Sequence, residues 1–547
     1  MTENRQDASS FEMPGESSSR PSMVWDAWGI PSEHAPLPEK IRTLLAQVFG
    51  VSGESVTRRD EGSVPLRTSA LSQAHLAGLS TVVGPDQVRT DHRARLLHAG
   101  GKSTPDLLRR RLDGPQDAPD AVLFPADHDQ VLAVLEYCTE QRIAVVPFGG
   151  GTSVVGGVDP ARGAFDAVVT LDLRRLDSLT DLDPVSGTAT LGAGLTGPQA
   201  EKLLAAHGLS LGHFPQSFEF ASIGGFAATR SSGQASAGFG RFDDMIQRLR
   251  VATPGGTLDL GRAPASAAGP DLRELFSGSE GTLGVITAVT LRVHPVPATV
   301  GYQAWSFPDF GAGAAALRSV VQAGAAPTVL RLSDEAETGL NLARAGDIGG
   351  NPVTGCLAIT TIEGSAAHVE ARGAEAAALL TAAGGTALGE QAARDWEHGR
   401  FAAPYLRDAL LDVGILCETL ETATSWSNLA ELKAKVTAAL TDSLAGQGTP
   451  PLVMCHISHT YPTGASLYFT VVAKQLDDPI AQWHTAKHAV GDAIAAAGGT
   501  ITHHHAVGAD HRPWMTGEIG ELGVRVLRAV KQAVDPAGIL NPGKLIP

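Results

Sequence analysis

The sequence has few cysteines, and they form no motif. The four cysteines lie far apart and within apolar runs, at Cys138, Cys356, Cys417 and Cys455. This spacing gives no C-x-x-C pair and no disulfide framework. It indicates buried free thiols in a reducing compartment, so the sequence predicts a cytoplasmic protein.

Long apolar runs and an excess of basic residues are also missing. No run of 18 apolar residues occurs and the N-terminus lacks a signal pattern, so no transmembrane helix is expected. With 42 Lys and Arg against 58 Asp and Glu, the formal charge is −16. A general nucleic-acid binder would carry a basic face instead, so no nucleic-acid partner is predicted. Residues 1–23 are rich in Ser, Glu and Pro and predict a disordered tail.

What is abundant is length, apolar content and glycine. A chain of 547 residues is too long for one core and indicates two or more domains. The hydrophobic content of 43% is ample for packing, and the 62 glycines suit a fold with many turns and close backbone approaches.

One glycine-rich turn stands out, at Pro147-Phe148-Gly149-Gly150-Gly151-Thr152-Ser153. It follows the strand candidate 143–146, and its successive amides can form an anion-binding nest that suits a pyrophosphate. The spacing is not G-x-G-x-x-G, so a Rossmann interpretation is weak. For this segment alone, an ordinary glycine turn is the favoured interpretation.

Two further segments change that balance. The second segment runs from Gly212 through Gln216–Ser222 to Thr229-Arg230-Ser231-Ser232, and the third is Gly278–Thr287. Together the three resemble the FAD-binding domain of the vanillyl-alcohol oxidase / p-cresol methylhydroxylase superfamily. The resemblance implies that the first turn cradles the FAD pyrophosphate and that the others line the rest of the cofactor. The implied FAD-binding residues are Pro147, Phe148, Gly149, Gly150, Gly151, Thr152, Ser153, Gln216, Ser217, Phe218, Glu219, Phe220, Ala221, Ser222, Thr229, Arg230, Ser231, Ser232, Glu280, Gly281, Thr282, Leu283, Gly284, Val285 and Ile286.

The resemblance and the periodicity together predict an α+β fold with a two-part FAD-binding domain and a cap. The cap is expected to be an antiparallel sheet covered by helices on one face. The predicted limits are a helical region at 24–116, the FAD-binding domain at 117–297, the cap at 298–500 and a completing C-terminal segment at 501–547. Arg109, Arg110 and Arg111 are interpreted as the solvated face of a helix.

A hairpin within the cap gives the most specific local prediction. Leu452–Tyr461 and Ala465–Val472 flank a three-residue turn, which would place Ser458 opposite Tyr468 and His456 opposite Thr470. One face is then apolar and suits packing under helices, while the other is a polar stripe. A solvent-exposed face and the ceiling of an active-site cavity are equally compatible with this pattern.

A histidine triplet, His503-His504-His505, follows the strand-like residues 499–502. A strand places His503 and His505 on one side and His504 on the other, so the three cannot easily meet one metal. No metal site is therefore predicted. The remaining interpretations are a surface patch and, with imidazoles that titrate near pH 6.5, proton transfer beside a flavin.

Several motifs narrow the resemblance to the alkyldihydroxyacetonephosphate synthase family. They are Trp25–Gly29, Tyr405–Asp408, Cys417–Thr422, His459–Phe469 and His503–Gly508. The family uses FAD without net oxidation: an adduct at flavin N5 lets a long-chain alcohol replace the fatty acid of acyl-dihydroxyacetone phosphate, as in ether lipid biosynthesis. The resemblance implies that Tyr468 and the triplet are catalytic, that Arg407 binds the phosphate and that Arg331 shapes the pocket.

Each of these roles has an alternative from the residues alone. Arg407 can be a surface ion pair with Asp408, and Tyr468 a packing residue that acts as acid or base only if neighbours lower its pKa. The family has glycine where this chain has Ala506, and basic residues where it has 509–512, which weakens the case for a phosphorylated substrate.

Two other functions therefore stay open. The first is an FAD-linked oxidase or dehydrogenase of a 2-hydroxy acid or alcohol, with His504 or His505 as the base. The second is a flavin-binding scaffold without chemistry. For the main function we expect non-covalent FAD, a small lipid-like substrate, a homodimer and peripheral membrane contact.

Overall fold

The computed structural model describes residues 22–52, 58–112, 114–340 and 353–547. Most of the predicted N-terminal tail, residues 1–21, lies outside the described residues. The helices are α1 (Glu39–Phe49), α2 (Gln73–Val83), α3 (His92–Leu97), α4 (Thr104–Arg111), α5 (His128–Glu140), α6 (Gly197–Ala205), α7 (Ile223–Thr229), α8 (Ser236–Phe239), α9 (Phe242–Met245), α10 (Arg273–Phe276), α11 (Phe310–Gln322), α12 (Glu335–Leu340), α13 (Ala366–Ala382), α14 (Gln391–Gly399), α15 (Ala403–Leu411), α16 (Leu429–Gly446), α17 (Pro479–Ala496) and α18 (Met515–Val534).

The strands belong to sheets in two regions of the chain. They are β1 (Val88–Arg89), β2 (Ala121–Leu123), β3 (Ile143–Phe148), β4 (Ala167–Asp172), β5 (Leu179–Asp183), β6 (Thr188–Gly192), β7 (Leu209–Ser210), β8 (Ile246–Thr253), β9 (Gly256–Leu260), β10 (Val285–Arg292), β11 (His294–Pro295), β12 (Thr299–Phe307), β13 (Val329–Ser333), β14 (Cys356–Gly364), β15 (Thr386–Gly389), β16 (Ile415–Ser425), β17 (Leu452–Ile457) and β18 (Gly464–Lys474).

The first region, which we call the cofactor region, contains two larger sheets within the described residues. In the sheet β1-β2-β4-β3 the last three strands are parallel, and the sheet β5-β6-β10-β8-β9 is antiparallel. The predicted β-α-β unit is present as β2, α5 and β3, with β4 inserted between the two strands. Asp127 caps α5 by accepting the Gln130 N–H, and the helix buries one apolar face against these strands.

The second region, the cap, is one antiparallel sheet in the order β15-β12-β14-β13-β17-β18-β16, as far as the chain is described. Alternate residues of its strands, such as Leu330, Leu467 and Phe469, pack under α11, α13, α16 and α17 in one core. The predicted α+β fold class is therefore confirmed. The domain limits given above stay predictions.

Helices cover both faces of the cap sheet, so the prediction of one covered face was wrong. Helix α14 packs on Ala304 and Ile359, and α15 packs on Ile415 and Cys417, all on the face opposite the main helical core. These two helices lie at opposite ends of that face. The middle of the face, formed by β13, β17 and β18, is left for the polar side chains of the site.

The cap hairpin is present, but its predicted register was wrong. His456 lies opposite Tyr468, not Thr470, and the turn is tighter, because the Tyr461 N–H donates to Gly464 O at 2.8 Å. The tight turn places His459 opposite Ser466, and one extra residue between His456 and His459 then brings His456 opposite Tyr468. A shift of two keeps the predicted faces, because side chains alternate with a period of two.

Of the basic run of α4, Arg109 is exposed as predicted, but Arg110 and Arg111 are not on a solvated face. Arg110 is buried and donates to the Trp25 carbonyl, and Arg111 pairs with Asp412 at 2.9 Å. The interpretation from sequence failed because the N-terminal residues 24–28 fold over this helix, a contact far apart in the chain.

Candidate active site

The polar face of the cap sheet contains Tyr468 within a stack of rings. The His456 ring lies nearly parallel to it with centroids 4.8 Å apart, and the His504 ring also lies nearly parallel, at 6.0 Å. The His505 ring meets its edge at 5.6 Å. The phenol is thus held in one orientation among imidazoles.

Burial raises the pKa of Tyr468 to about 12, although a hydrogen bond with Thr419 opposes the shift. The condition that neighbours lower this pKa is therefore not met, since desolvation disfavours the phenolate. The phenol is neutral at physiological pH, and its hydroxyl is a proton donor and not a base.

The histidine triplet lies on an irregular loop, not on a strand, and the loop wraps around Glu421. The Thr502 hydroxyl donates to Oε1 of Glu421 at 2.6 Å, and the His503 N–H donates to Oε2 at 2.6 Å. The N–H groups of His504 and His505 donate to Oε1 at 3.1 and 2.9 Å. Strand alternation therefore does not hold, and Nδ1 of His503 lies 3.0 Å from Nδ1 of His504.

Burial keeps the three imidazoles neutral. It lowers the pKa of His503 and of His505 to about 3, and it lowers the pKa of His504 as well, against the opposing charge of Glu421. The ring of His503 also lies 2.7 Å from the Tyr461 hydroxyl through Nε2. A neutral imidazole has one unprotonated ring nitrogen that accepts a proton, so His504 and His505 supply acceptors next to the Tyr468 donor, whereas both nitrogens of His503 already have partners.

His459, which the sequence reasoning did not place in the site, joins this group. One ring nitrogen each of His459, His503 and His504 lies within 4.8 Å of the others. Zinc–nitrogen bonds of about 2.0–2.1 Å would require a spacing of roughly 3.4 Å. Protein partners already contact the nitrogens of His459, including the Gly233 carbonyl at 3.1 Å. We propose no metal here, and the predicted absence of one stays a prediction.

Arg407, on α15, pairs with Asp408, but the pair is buried and not at the surface. Its Nε lies 3.1 Å from Oδ1 of Asp408, and its Nη1 donates to the Lys102 carbonyl at 2.8 Å. Nη2 is 3.0 Å from the same Oδ1, but it has no aligned hydrogen-bond acceptor among the described residues. One buried donor thus stays available.

Arg331 lies behind the stacked rings. Its Nη2 is 2.5 Å from Oε1 of Glu337 and 2.9 Å from Nδ1 of His456. Burial opposes ionisation of Glu337, but the pKa of this carboxyl is held well below its usual range by His456 and Arg331. Arg331 therefore positions the ring that stacks on Tyr468.

The structure also accounts for the two departures noted in the sequence. Ala506 adopts φ 72°, the left-handed conformation that favours the glycine of the family. The basic residue near this loop is Lys487, which belongs to α17 and not to the loop. Its Nζ lies 2.6 Å from Nε2 of His511. No sequence signal marked Lys487, since it belongs to an ordinary helical pattern.

The three FAD segments meet in space. A Cβ on Gly150 would lie 2.1 Å from the Phe220 carbonyl oxygen, and one on Gly281 would lie 2.8 Å from Pro147. The first segment continues from β3, and the second ends at Ser222, whose hydroxyl caps α7 by accepting the Gly225 N–H. The close approach of backbones requires glycine at these positions.

Side chains of the second and third segments divide into two groups. Several are engaged within the protein: Arg230 donates to Glu274, Thr229 to the Gly225 carbonyl, and Leu283 and Ile286 belong to the apolar core. Glu280 accepts the N–H groups of Val507 and Gly508, both at 2.8 Å.

Other groups are left for a ligand. Nε2 of Gln216 and Oγ of Ser279 are buried without a hydrogen-bond partner within the described ranges. The groove beside Gly150 and Gly151, where an anionic pyrophosphate is expected, is also lined by Lys102, which donates to the Val24 carbonyl, and by Arg174, which pairs with Asp172. In these respects the residues fit FAD.

The comparisons with known proteins agree with this geometry. The family models that match are an FAD binding domain at residues 119–260 and the C-terminal domain of FAD linked oxidases at residues 296–545. An alkyldihydroxyacetonephosphate synthase from Dictyostelium discoideum is 35% identical over 85% of this chain and 79% of that protein. The chain belongs to the alkyldihydroxyacetonephosphate synthase family. The family member from Trypanosoma brucei brucei is 30% identical over 96% of this chain and 92% of its own length.

Solved structures extend the likeness to the fold. An alkyldihydroxyacetonephosphate synthase structure matches with a TM-score of 0.83 at 29% identity, over 96% of this chain and 99% of the other. p-Cresol methylhydroxylase matches at a TM-score of 0.69 and 16% identity, over 87% and 97% of the two chains, which shows a shared fold. The predicted membership of the synthase family and of its superfamily is confirmed.

Proposed function

We propose that this protein is an FAD-dependent alkylglycerone-phosphate synthase that exchanges the acyl chain of acyl-dihydroxyacetone phosphate for a long-chain alcohol. The observation that carries the proposal is a neutral phenol, Tyr468, held between neutral imidazoles on the cap face. That face is tied to the FAD segments at two points. His459 contacts the Gly233 carbonyl, and Glu280 accepts N–H groups of the histidine loop.

Arg407 is the proposed phosphate ligand. Its Nη2 is a buried donor without an aligned acceptor in the described part of the chain, and Asp408 holds the guanidinium in place. A guanidinium binds a phosphate through charge-assisted hydrogen bonds. Arg331 serves by holding His456 against Tyr468.

The protein's own groups handle the protons of the exchange. One carbon–oxygen bond to the fatty acid breaks and one to the alcohol forms, so the alcohol must lose a proton. A neutral imidazole of the triplet accepts that proton, and the Tyr468 hydroxyl donates a hydrogen bond to the departing acid or to the ketone. Bound FAD would supply an electron-deficient ring that activates the substrate carbon, with no net oxidation.

The proposal is tested by incubating the FAD-loaded protein with palmitoyl-dihydroxyacetone phosphate and hexadecanol. We expect the hexadecyl ether and free palmitate in equal amounts. In a parallel reaction, 2-hydroxy acids should leave the flavin absorbance unchanged. Bleaching of the flavin by a hydroxy acid, without ether formation, would establish the oxidase or dehydrogenase alternative. Bound FAD without turnover in either reaction would favour the scaffold alternative.

We further propose that the FAD is held non-covalently. The first segment, 147–153, contains no histidine that could form the flavin link of some relatives. Acid precipitation should release the yellow flavin into the supernatant, and colour that remains in the pellet would contradict the proposal.

The proposed setting is a cytoplasmic homodimer with peripheral membrane contact. Long-chain substrates reside in membranes, which supports the contact. Of the helices described here, none has both the length and the apolar composition to cross a bilayer. Light scattering after gel filtration tests the dimer, and flotation with phospholipid vesicles tests the membrane contact. A monomer, or a protein that stays at the bottom of the gradient, would contradict these statements.

A further inference from the structure

Glu421 is an acidic side chain near the site whose carboxylate accepts four hydrogen bonds. It takes no part in the proton transfers proposed for the exchange reaction. It belongs to β16, and its side chain is fully buried. It lies directly opposite Tyr468 on the neighbouring strand β18. The alternation of β16 places it on the polar face, because Leu420 belongs to the apolar core.

The loop that carries the triplet is folded around the Glu421 carboxylate. Its two oxygens accept one hydroxyl, from Thr502, and three consecutive backbone N–H groups, from His503, His504 and His505. Because the three N–H donors belong to the backbone, their hydrogen bonds fix the positions from which the imidazole side chains project. Nδ1 of His504 lies 3.6 Å from Oε2 of Glu421.

The loop has no regular secondary structure to hold it. Residues 501–507 form no helix or strand, and Ala506 adopts a positive φ of 72°. Without Glu421, three buried N–H donors would lose their acceptor, which is costly enough to rearrange the backbone. Burial opposes ionisation of Glu421, but hydrogen bonding to the carboxylate, with the Thr502 hydroxyl as one donor, holds the pKa of Glu421 well below the usual range.

We propose that Glu421 is a positioning residue for the exchange reaction, whose carboxylate holds loop 502–505 so that the imidazoles of the triplet face Tyr468. It contacts neither substrate nor cofactor in this role. The proposal rests on the proposed function for its catalytic consequence, but the loop geometry can be measured independently of activity.

Glu421→Gln tests the proposal in the FAD-loaded protein. The amide keeps the volume but replaces one acceptor by an NH₂ group that faces N–H donors. A displacement of about 1 Å can reduce a rate by on the order of 10²-fold. We expect kcat to fall by about that factor with KM for palmitoyl-dihydroxyacetone phosphate unchanged, because Arg407 is not touched. Glu421→Asp, which keeps the charge, should recover at least about tenfold of the loss.

Glu518→Gln is the matched control. Glu518 on α18 also accepts from this segment, through the Thr500 hydroxyl at 2.6 Å and the Ile501 N–H at 3.1 Å, but it lies outside the site. Its replacement should leave kcat near the wild-type value. A similar loss of kcat in both variants would show a general loosening of the fold and would overturn the proposal.

Amide hydrogen exchange gives the second readout. We expect faster exchange at residues 503–505 in Glu421→Gln and wild-type exchange there in Glu518→Gln. Unchanged protection or unchanged kcat in Glu421→Gln would refute the positioning role. If Glu421→Gln does not retain FAD, Glu421→Asp decides by the same two measurements. If the wild type makes no ether, the proposed function fails, while the exchange data still test the loop.

Discussion

The cofactor region and the cap build the two sides of the candidate site from different parts of the chain. The FAD segments contribute mainly backbone: glycines such as Gly150 let one segment touch the next. The cap sheet and the histidine loop that follows it contribute side chains, a phenol from the sheet and imidazoles from the loop, with strongly shifted pKa values. The first side is therefore sensitive to added volume, and the second side is sensitive to the loss of functional groups.

The same comparison holds for the two buried carboxylates that hold the histidine loop. Glu421, from the cap, accepts N–H groups of 503–505 and has a lowered pKa. Glu280, from the third FAD segment, accepts those of Val507 and Gly508, yet burial raises its pKa to about 7. The pKa values of the two carboxyls are therefore shifted in opposite directions, with burial as the main cause of the rise at Glu280.

The largest effect is expected from Tyr468→Phe. The ring stack persists, so the fold and the flavin should be retained, but the proton donor is lost. A general acid or base contributes typically about 10²–10⁴-fold in rate, and ether formation should fall by that factor. Tyr137→Phe, which removes a phenol from α5 outside the site, is the control and should leave the rate unchanged. Ether formation unaffected by Tyr468→Phe would refute the assigned role.

Arg407→Ala should weaken binding of the phosphorylated substrate by roughly 2–4 kcal/mol, because a buried charge-assisted contact is lost. The measurement is KM for palmitoyl-dihydroxyacetone phosphate, with FAD content determined in parallel. Arg111→Ala removes a nearby guanidinium that pairs with Asp412 and serves as the control. Equal KM values for Arg407→Ala and the wild type would contradict a phosphate at this residue.

Gly150→Ala tests the backbone side of the comparison. The new Cβ would lie 2.1 Å from the Phe220 carbonyl oxygen, so one segment must move. Overpacking of this kind costs typically about 1–3 kcal/mol, which should appear as a lower melting temperature and weaker FAD retention. Gly446→Ala, at the end of α16, meets nothing within 4 Å and should have little effect. Normal FAD retention in Gly150→Ala would show that the segments are not tightly packed.

The smallest effect concerns the pH dependence of stability through Glu280. Because its folded pKa of about 7 lies above the unfolded value near 4.5, its contribution is present at low pH and is lost as the pH rises through 7. The wild type should lose roughly 1 kcal/mol of unfolding free energy from this group between about pH 6 and pH 8. Glu280→Gln should lack that loss, while Glu521→Gln, at an exposed position, should keep it. Identical slopes in all three proteins would contradict the raised pKa.

Some features of the site could be read from local patterns. The alternation of the hairpin placed Tyr468 and His456 on one polar face, whereas the FAD-binding domain was predicted from the resemblance of the three segments to a known family. The register of the hairpin was wrong because an extra residue near His459 cannot be seen from alternation alone. The strand geometry predicted for the triplet was wrong because the path of its backbone depends on a residue far away in the chain. Its backbone follows Glu421, which is 82 residues distant from His503 in sequence.

The α+β class, the apolar and polar faces of the cap strands and the glycines at the cofactor turns follow from the amino-acid sequence alone, because they depend on local periodicity and backbone freedom. Which polar groups meet depends on how distant parts of the chain fold together, and the tertiary structure alone shows it. It joined Arg407 to Lys102, Tyr468 to the imidazoles and Glu421 to the histidine loop. It also set the protonation states, because a pKa depends on burial and on charges that lie close in space and far apart in the chain.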